Sequence, residues 1–269
     1  MKKNKTFILG VGAQKAGTSW LHNYIQKSPV ANMGPLKEYH FWNLYFVPDH
    51  KKRSFLKKKP AEMNSEEFLR YQMLTINYYY ESFFCSLIND GFKITGDITP
   101  HYSKMHEEEF SFIKARLEKF GFHVKVIFLM RDPFERLWSN IRMERDLYTT
   151  IDNDLSDSEA IKLHFRNNRW MLDSMYHIQV FRIDSVFKKE DIYYGIFEEM
   201  FEEENIRKLS DFIGMKHVPG FGDQVVNQTI KSDEINLSIK KEVCLAYKNV
   251  YRYCYERFPQ TRNFWTFYE

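Results

Sequence analysis

Apolar, β-favouring residues gather in four short runs, Thr6–Val11, Phe92–Ile98, Val124–Met130 and Asp191–Phe197. Between them apolar positions recur at helical spacing, which predicts helices over Thr18–Lys27, Ser65–Cys85, Glu107–Phe120, Pro133–Asp146, Trp170–Phe187, Glu199–Ile213 and Ile235–Phe258. That alternation predicts a single α/β domain with a central parallel β-sheet flanked by helices on both faces. Val124–Met130 is apolar at nearly every position, as a strand buried on both faces must be. It and Thr6–Val11 are the candidates for the central strands.

The chain's 269 residues suit one sizeable core, and 43% hydrophobic and 17% aromatic content excludes a disordered chain. Lys plus Arg number 39 against 36 for Asp plus Glu, a net charge of only +3. So weak a bias speaks against a nucleic-acid partner, and any anion site must be a local arrangement. No apolar run approaches the roughly 20 residues needed to span a bilayer. The opening Met1–Ala13 mimics a signal peptide, but its apolar run is short, interrupted by Gly10 and Gly12, and followed by Gln14 and Lys15. Three cysteines occur, Cys85, Cys244 and Cys254, the last two ten positions apart, roughly 15 Å along one helix. An odd, unpairable set with no Cys-x-x-Cys spacing predicts a cytoplasmic protein without a structural metal.

Two segments interrupt the layout. Lys51–Lys59 is the most basic window, readable either as a solvated loop or as a rim for an acidic acceptor. Thr149–Ser158, with Asp152, Asp154 and Asp157, reads as a surface loop, and it lacks the glycine and terminal glutamate of a calcium loop.

The first run leads through Gly10-Val11-Gly12-Ala13-Gln14-Lys15-Ala16-Gly17 into the helix that opens Thr18-Ser19-Trp20. A strand, a loop of small residues and a helix start together make a phosphate cradle: the first N–H groups of a helix lack intrahelical partners and lie at its positive end. Gly17 permits close approach, Thr18 and Ser19 add hydroxyls, and Lys15 adds a mobile cation. The Walker pattern is absent, because Lys15 precedes Gly17 instead of following it. The expected architecture is therefore P-loop-like without being that of an ordinary ATP hydrolase. A second constellation ends the third apolar run: Arg131-Asp132-Pro133-Phe134-Glu135-Arg136-Leu137-Trp138-Ser139. Arg131 offers a planar fork to a phosphate, Pro133 suits a helix start, and Ser139 can donate a hydroxyl to the same group. Arg136, inside the helix, is expected to pair with a carboxylate such as Asp132 or Glu135.

Gln14-Lys15-Ala16-Gly17-Thr18-Ser19-Trp20 resembles the 5′-phosphosulfate loop of sulfotransferases that use 3′-phosphoadenosine 5′-phosphosulfate (PAPS). Arg131-Asp132-Pro133 with Arg136 and Ser139 resembles that family's 3′-phosphate motif, and weaker similarity runs from about residue 6 to residue 258. The resemblance implies a PAPS-binding core over about 6–30 and 92–146, acceptor-side insertions over about 35–90 and 147–170, and no required metal. It implies cofactor contacts from Gln14, Lys15, Ala16, Gly17, Thr18, Ser19, Trp20, Arg131 and Ser139. Trp20 is read either as an adenine-stacking ring or as core. Lys231, in Val226–Ser232, is read as a 3′-phosphate contact or a surface lysine.

Lys37-Glu38-Tyr39-His40-Phe41-Trp42 is similar to the Lys-Glu-x-His-Phe-Phe stretch of the heparan-sulfate-type carbohydrate sulfotransferases. The resemblance implies that Glu38 takes the acceptor's proton while Lys15 neutralises the departing phosphate oxygen. Paired with Lys37, Glu38 would otherwise be an ordinary surface carboxylate. Gly96-Asp97-Ile98-Thr99-Pro100-His101-Tyr102 resembles a Glu-Lys-Thr/Ser-Pro-x-Tyr segment, with Ile98 standing where the family has lysine. His101 is the alternative base, and His40 takes a supporting role. The expected product is PAP (3′-phosphoadenosine 5′-phosphate), and the expected acceptor is a small molecule or glycan, preferably a carbohydrate. The other readings are a catalytically inactive nucleotide- or glycan-binding module of the same fold, and a nucleotide kinase-like enzyme.

Overall fold

The computed structural model describes residues 5–47, 53–88, 91–148, 151–152, 154–224 and 234–268. Four strands, β1 (Lys5–Gly12), β2 (Ile94–Ile98), β3 (Phe122–Met130) and β4 (Ile192–Ile196), form one sheet in the order β2-β1-β3-β4. All pairings are parallel, with Phe7 opposite Thr95 on one side and Val124 on the other, and Phe128 opposite Tyr194. The two runs expected at the centre are there. Every residue from Val126 to Met130 is at most 1% exposed, so consecutive side chains, which point to opposite faces, are all covered.

The covering helices are α1 (Thr18–Gln26), α2 (Phe41–Phe46), α3 (Ser65–Thr75), α4 (Tyr79–Ile88), α5 (Glu107–Lys119), α6 (Pro133–Tyr148), α7 (Asp157–His164), α8 (Asn168–Met171), α9 (Tyr176–Asp184), α10 (Glu203–Ile213), α11 (Leu237–Ala246) and α12 (Lys248–Arg257). On one face of the sheet Phe7 packs edge-on against Phe84 of α4 and Phe128 against Tyr176 of α9. On the other, Lys125 donates to the Phe212 carbonyl in α10. Burying Phe7 completely contributes about 1.5–3 kcal/mol. None of the helices described is long and apolar enough to cross a membrane.

Three long helices expected from periodicity are each divided. Ser65–Cys85 breaks before Tyr78, whose φ of 60° is left-handed, so α3 and α4 turn their apolar faces to different parts of the core. Trp170–Phe187 breaks at Leu172–Met175, where Arg136 supplants the helical ladder by donating to the Trp170 carbonyl and the Ser174 hydroxyl. Ile235–Phe258 breaks at Tyr247, a buried ring that donates to the Phe165 carbonyl. The last of these breaks puts Cys244 and Cys254 on separate helices, and the thiols of Cys85, Cys244 and Cys254 are unpaired. The acidic stretch is also not wholly a surface loop. Asp157 is fully buried at the start of α7, accepting from Trp138 Nε1 at 2.5 Å and pairing with Arg145 at 2.7 Å.

Candidate active site

Chain order carries the backbone from β1 outward to β2 and then back across β1 to β3. The connections therefore diverge between β1 and β3, and the crevice beyond their carboxyl ends is where open α/β sheets receive ligands. Two segments meet there. From β1, the Ala13 N–H donates to the Leu129 carbonyl at 2.6 Å, and the chain turns through Lys15 and Gly17 into α1. Lys15 has φ 68° and Gly17 φ 89°. At Gly17 a side chain would be strained by that angle, and its Cβ would lie 3.0 Å from Met200 Sδ and 3.1 Å from Phe197 Cδ2. From β3, Arg131 follows directly and donates to the Lys15 carbonyl at 3.3 Å. Its guanidinium lies over the Phe197 ring, 4.5 Å from the centroid, and 3.6 Å from Glu135.

This corner has the character of an anion site. Burial, followed by the charges of Arg131, Arg142 and Lys37, pushes the Lys15 ammonium below its ordinary pKa. Bringing cations together without an anion raises their energy, and an anion bound among them relieves that repulsion. Arg131 Nε is buried with no hydrogen-bond partner, an unsatisfied donor beside the loop. A nucleotide phosphate fits both features.

The other residues expected at the site fall into separate groups. Thr18 and Ser139 are nearly buried, Ser139 on the α6 helix that Arg131 leads into. Gln14 and Ser19 are half-buried, while Ala16 is fully buried. Trp20 realises the core alternative: it is 2% exposed, stacks on Tyr24 at 5.1 Å and donates to the Phe221 carbonyl at 3.2 Å. Arg136 departs from expectation. It is wholly buried and binds Ser174 and Trp170 rather than Asp132 or Glu135, because α8 and the turn after it close over its helix face. Lys231 lies outside the described residues, as do Lys51 and Lys52. Of the remaining basic window, Arg53 donates to the Tyr45 carbonyl and Lys58 pairs with Glu67 at 2.6 Å.

The acceptor-side segment joins this corner through Lys37, whose ammonium donates to Ser19 Oγ at 2.8 Å and lies 2.6 Å from Glu38 Oε1. The other Glu38 oxygen is 3.1 Å from His40 Nε2, and the His40 ring packs edge-on against His101 with centroids 5.5 Å apart. Glu38, His40 and His101 thus form one contiguous row. Burial alone would raise the Glu38 carboxyl, but hydrogen bonding from His40 and the Lys37 charge override it and hold the group down at about 2. Glu38 is therefore ionised throughout the neutral range. Asp97, fully buried at the end of β2, accepts from Thr99 Oγ1 at 2.6 Å, Tyr102 Oη at 2.7 Å and Tyr80 Oη at 3.0 Å. Among the described residues, no group of three or more His, Cys, Asp or Glu side chains is placed to hold a metal ion.

The fold and the corner between β1 and β3 together define an α/β protein with cations gathered at the carboxyl edge of its sheet. The sulfotransferase-domain family model matches residues 4–241, and the chain belongs to that family of sulfuryl-transferring enzymes, whose donor is PAPS. Among solved structures it is similar to a sulfotransferase from Alicyclobacillus acidocaldarius, at 20% identity over 91% of this chain and 92% of that one, with a TM-score of 0.59. It is similar also to the sulfotransferase domain of the curacin biosynthetic pathway, at 13% identity over 93% and 92% with a TM-score of 0.52. A Mycobacterium avium sulfotransferase matches at 12% identity over 96% and 78%, with a TM-score of 0.50. At such identities the likeness establishes the fold. No curated protein sequence matches the chain.

Proposed function

We propose that the enzyme moves the sulfuryl group of PAPS to a hydroxyl or amine of a carbohydrate, with Glu38 as base and Lys15 at the departing phosphate. The single observation that carries this reading is Lys37, which joins Ser19 of the phosphate loop to the Glu38 carboxylate. Donor and base groups belong to one hydrogen-bonded unit. The Lys37-Glu38-x-His40 pattern of the glycan-directed branch favours carbohydrate.

PAPS supplies a sulfuryl group already bound to a good leaving phosphate. As the acceptor oxygen or nitrogen bonds to sulfur, the bond from sulfur to the 5′-phosphate oxygen breaks and its electron pair stays on that oxygen. Lys15 neutralises the charge developing there, and the acceptor's proton passes to Glu38. Arg131 and Ser139 hold the 3′-phosphate, and the loop N–H groups from Gly17 onward hold the 5′-phosphate. Such a transfer rests on alignment and electrostatics more than on covalent help.

His101 is the second candidate for the base, since its ring contacts His40. Two experiments separate the readings. PAP without Mg²⁺ is expected to raise the melting temperature well beyond ATP with Mg²⁺, and the reverse order would point to a kinase-like enzyme. Labelled sulfate from PAPS, offered to unsulfated glycans, lipids, phenols and peptides, is expected to reach a glycan, and Glu38→Gln is expected to lower that transfer by orders of magnitude. Full activity in Glu38→Gln with loss in His101→Ala would move the base to His101.

A further inference from the structure

The segment carrying Glu38 belongs to no helix or strand, so its backbone polar groups need partners from elsewhere. Side chains from distant elements supply them. The N–H groups of Tyr39 and His40 donate to Asp97 Oδ1 at 3.4 Å and Thr99 Oγ1 at 3.3 Å, and that of Trp42, in the first turn of α2 just beyond, donates to Tyr102 Oη at 3.3 Å. On the carbonyl side a single residue does the work. Arg70 of α3 donates from Nη2 to the Glu38 carbonyl at 2.7 Å and from Nε to the Tyr39 carbonyl at 2.9 Å. Its third nitrogen pairs with Glu66 one turn earlier on the same helix. His40, next in the chain, has a left-handed φ of 57°, a conformation that persists in a non-glycine residue only where its surroundings fix it.

We propose that Arg70 is a positioning residue for sulfuryl transfer: its guanidinium clamps the peptide groups of Glu38 and Tyr39, fixes the direction of the Glu38 carboxylate, and makes α3 and the base-bearing segment move as one body. The inference rests on the reading of Glu38 as base. Two parallel N–H donors set at a fixed angle are what guanidinium offers and an ammonium does not, so lysine keeps the charge at this position and loses the clamp. Among the described residues, the hydrogen bonds of Arg70 go to Glu38, Tyr39 and Glu66, outside the loop from Ala13 to Ser19. Its loss is therefore expected to act on turnover far more than on nucleotide binding, which it reaches only indirectly through the Glu38–Lys37–Ser19 contacts.

The test is a cycle of wild type, Arg70→Lys, Glu38→Gln and the double variant, in the full chain. It follows PAP release from PAPS in water alone and with a desulfated glycosaminoglycan, alongside the melting shift given by PAP. Arg70→Lys is expected to lower kcat by about tenfold to a hundredfold, the cost of a displacement near 1 Å, with KM for PAPS and the PAP shift unchanged. In the Glu38→Gln background it is expected to add nothing, because the group it positions is already gone. Unchanged kcat in Arg70→Lys beside a crippled Glu38→Gln would overturn the role of Arg70 alone. So would losses that multiply in the double variant, or a PAP shift lost in parallel with kcat. Full activity in Glu38→Gln would instead overturn the base assignment, and the positioning role with it.

Discussion

The two sides of the site are assembled by different physics. On the donor side, Lys15 and Arg131 lie 116 positions apart, yet the separation is closed by the ladder between β1 and β3, and each residue sits within a few positions of a strand end. Backbone geometry does most of the placing. On the acceptor side, the segment around Glu38 is held by side chains: Arg70 donates to the Glu38 and Tyr39 carbonyls, while Asp97, Thr99 and Tyr102 accept from the N–H groups of Tyr39, His40 and Trp42. A cradle made by a sheet is rigid wherever its strands are buried, whereas a clasp of side chains is only as firm as each donor and acceptor in it.

The largest effect that would break this contrast is expected at Lys15. Lys15→Ala should cut transfer by about 10² to 10³, the usual loss when one group aimed at developing charge is removed. The acceptor's KM should hardly change, because the Glu38 clasp stays intact. A change in acceptor KM with kcat preserved would show that the hold on the acceptor depends on the donor loop beyond the Lys37 link.

A smaller effect is expected from Gly17→Ala. Its left-handed backbone disfavours any side chain by about 1–2 kcal/mol. The added methyl presses on Phe197, the ring beneath the Arg131 guanidinium. PAP affinity, measured by calorimetry, should fall by roughly tenfold, which corresponds to about 1.4 kcal/mol. Unchanged affinity would mean that the cradle adapts, and that the donor side is softer than its sheet implies.

This contrast also explains what could be read from the sequence. Val124–Met130 and Thr6–Val11 announced the two central strands, because a strand covered on both faces must be apolar at successive positions. The meeting of Lys15, Gly17 and Arg131 followed, since each lies within a few positions of the end of one of those strands. Arg70 gave no such signal. In sequence it is one arginine among helical polar residues of α3, and its partners are backbone carbonyls, which every residue possesses. Asp97 was visible as an acid in a motif, but three hydroxyls converge on it only after β2, α4 and the turn at residues 100–104 have packed. The divisions of the long helices leave no mark in the sequence for a related reason. Periodicity runs on through Tyr78, Met175 and Tyr247, while the breaks are set by tertiary demands such as the Arg136 bonds to Trp170 and Ser174.

A further effect, on stability rather than on catalysis, sharpens the comparison through two carboxylates, one on each side. Burial pushes the Asp132 carboxyl, beside Arg131, up to about 7. The Glu135 N–H works against that rise, and the charges of Glu198 and Glu135 add to it. The folded protein then holds a proton that the unfolded chain, with an ordinary value near 3.8, has released. The stability this gives is complete below about 3.8 and is lost as pH rises through about 7, at most about 4 kcal/mol. Glu38 does the opposite. Held at about 2 against an ordinary 4.5, it stabilises the fold above about 4.5 and loses that contribution as pH falls toward 2. Its quarter-exposed pair with Lys37 makes the magnitude smaller. Urea unfolding of wild type, Asp132→Asn and Glu38→Gln between pH 3 and 8.5 separates the two. Asparagine keeps an oxygen for the Glu135 N–H and the Tyr251 hydroxyl, so Asp132→Asn should flatten the decline between pH 5 and 8 by roughly 1–2 kcal/mol. The raised Glu198, whose carboxylate accepts from the Asp132 N–H, accounts for the slope that remains. Glu38→Gln should change only the acid limb. If Asp132→Asn kept the wild-type slope above pH 5, the proton would have to be assigned to Glu198, and the donor side would titrate through its second carboxylate alone.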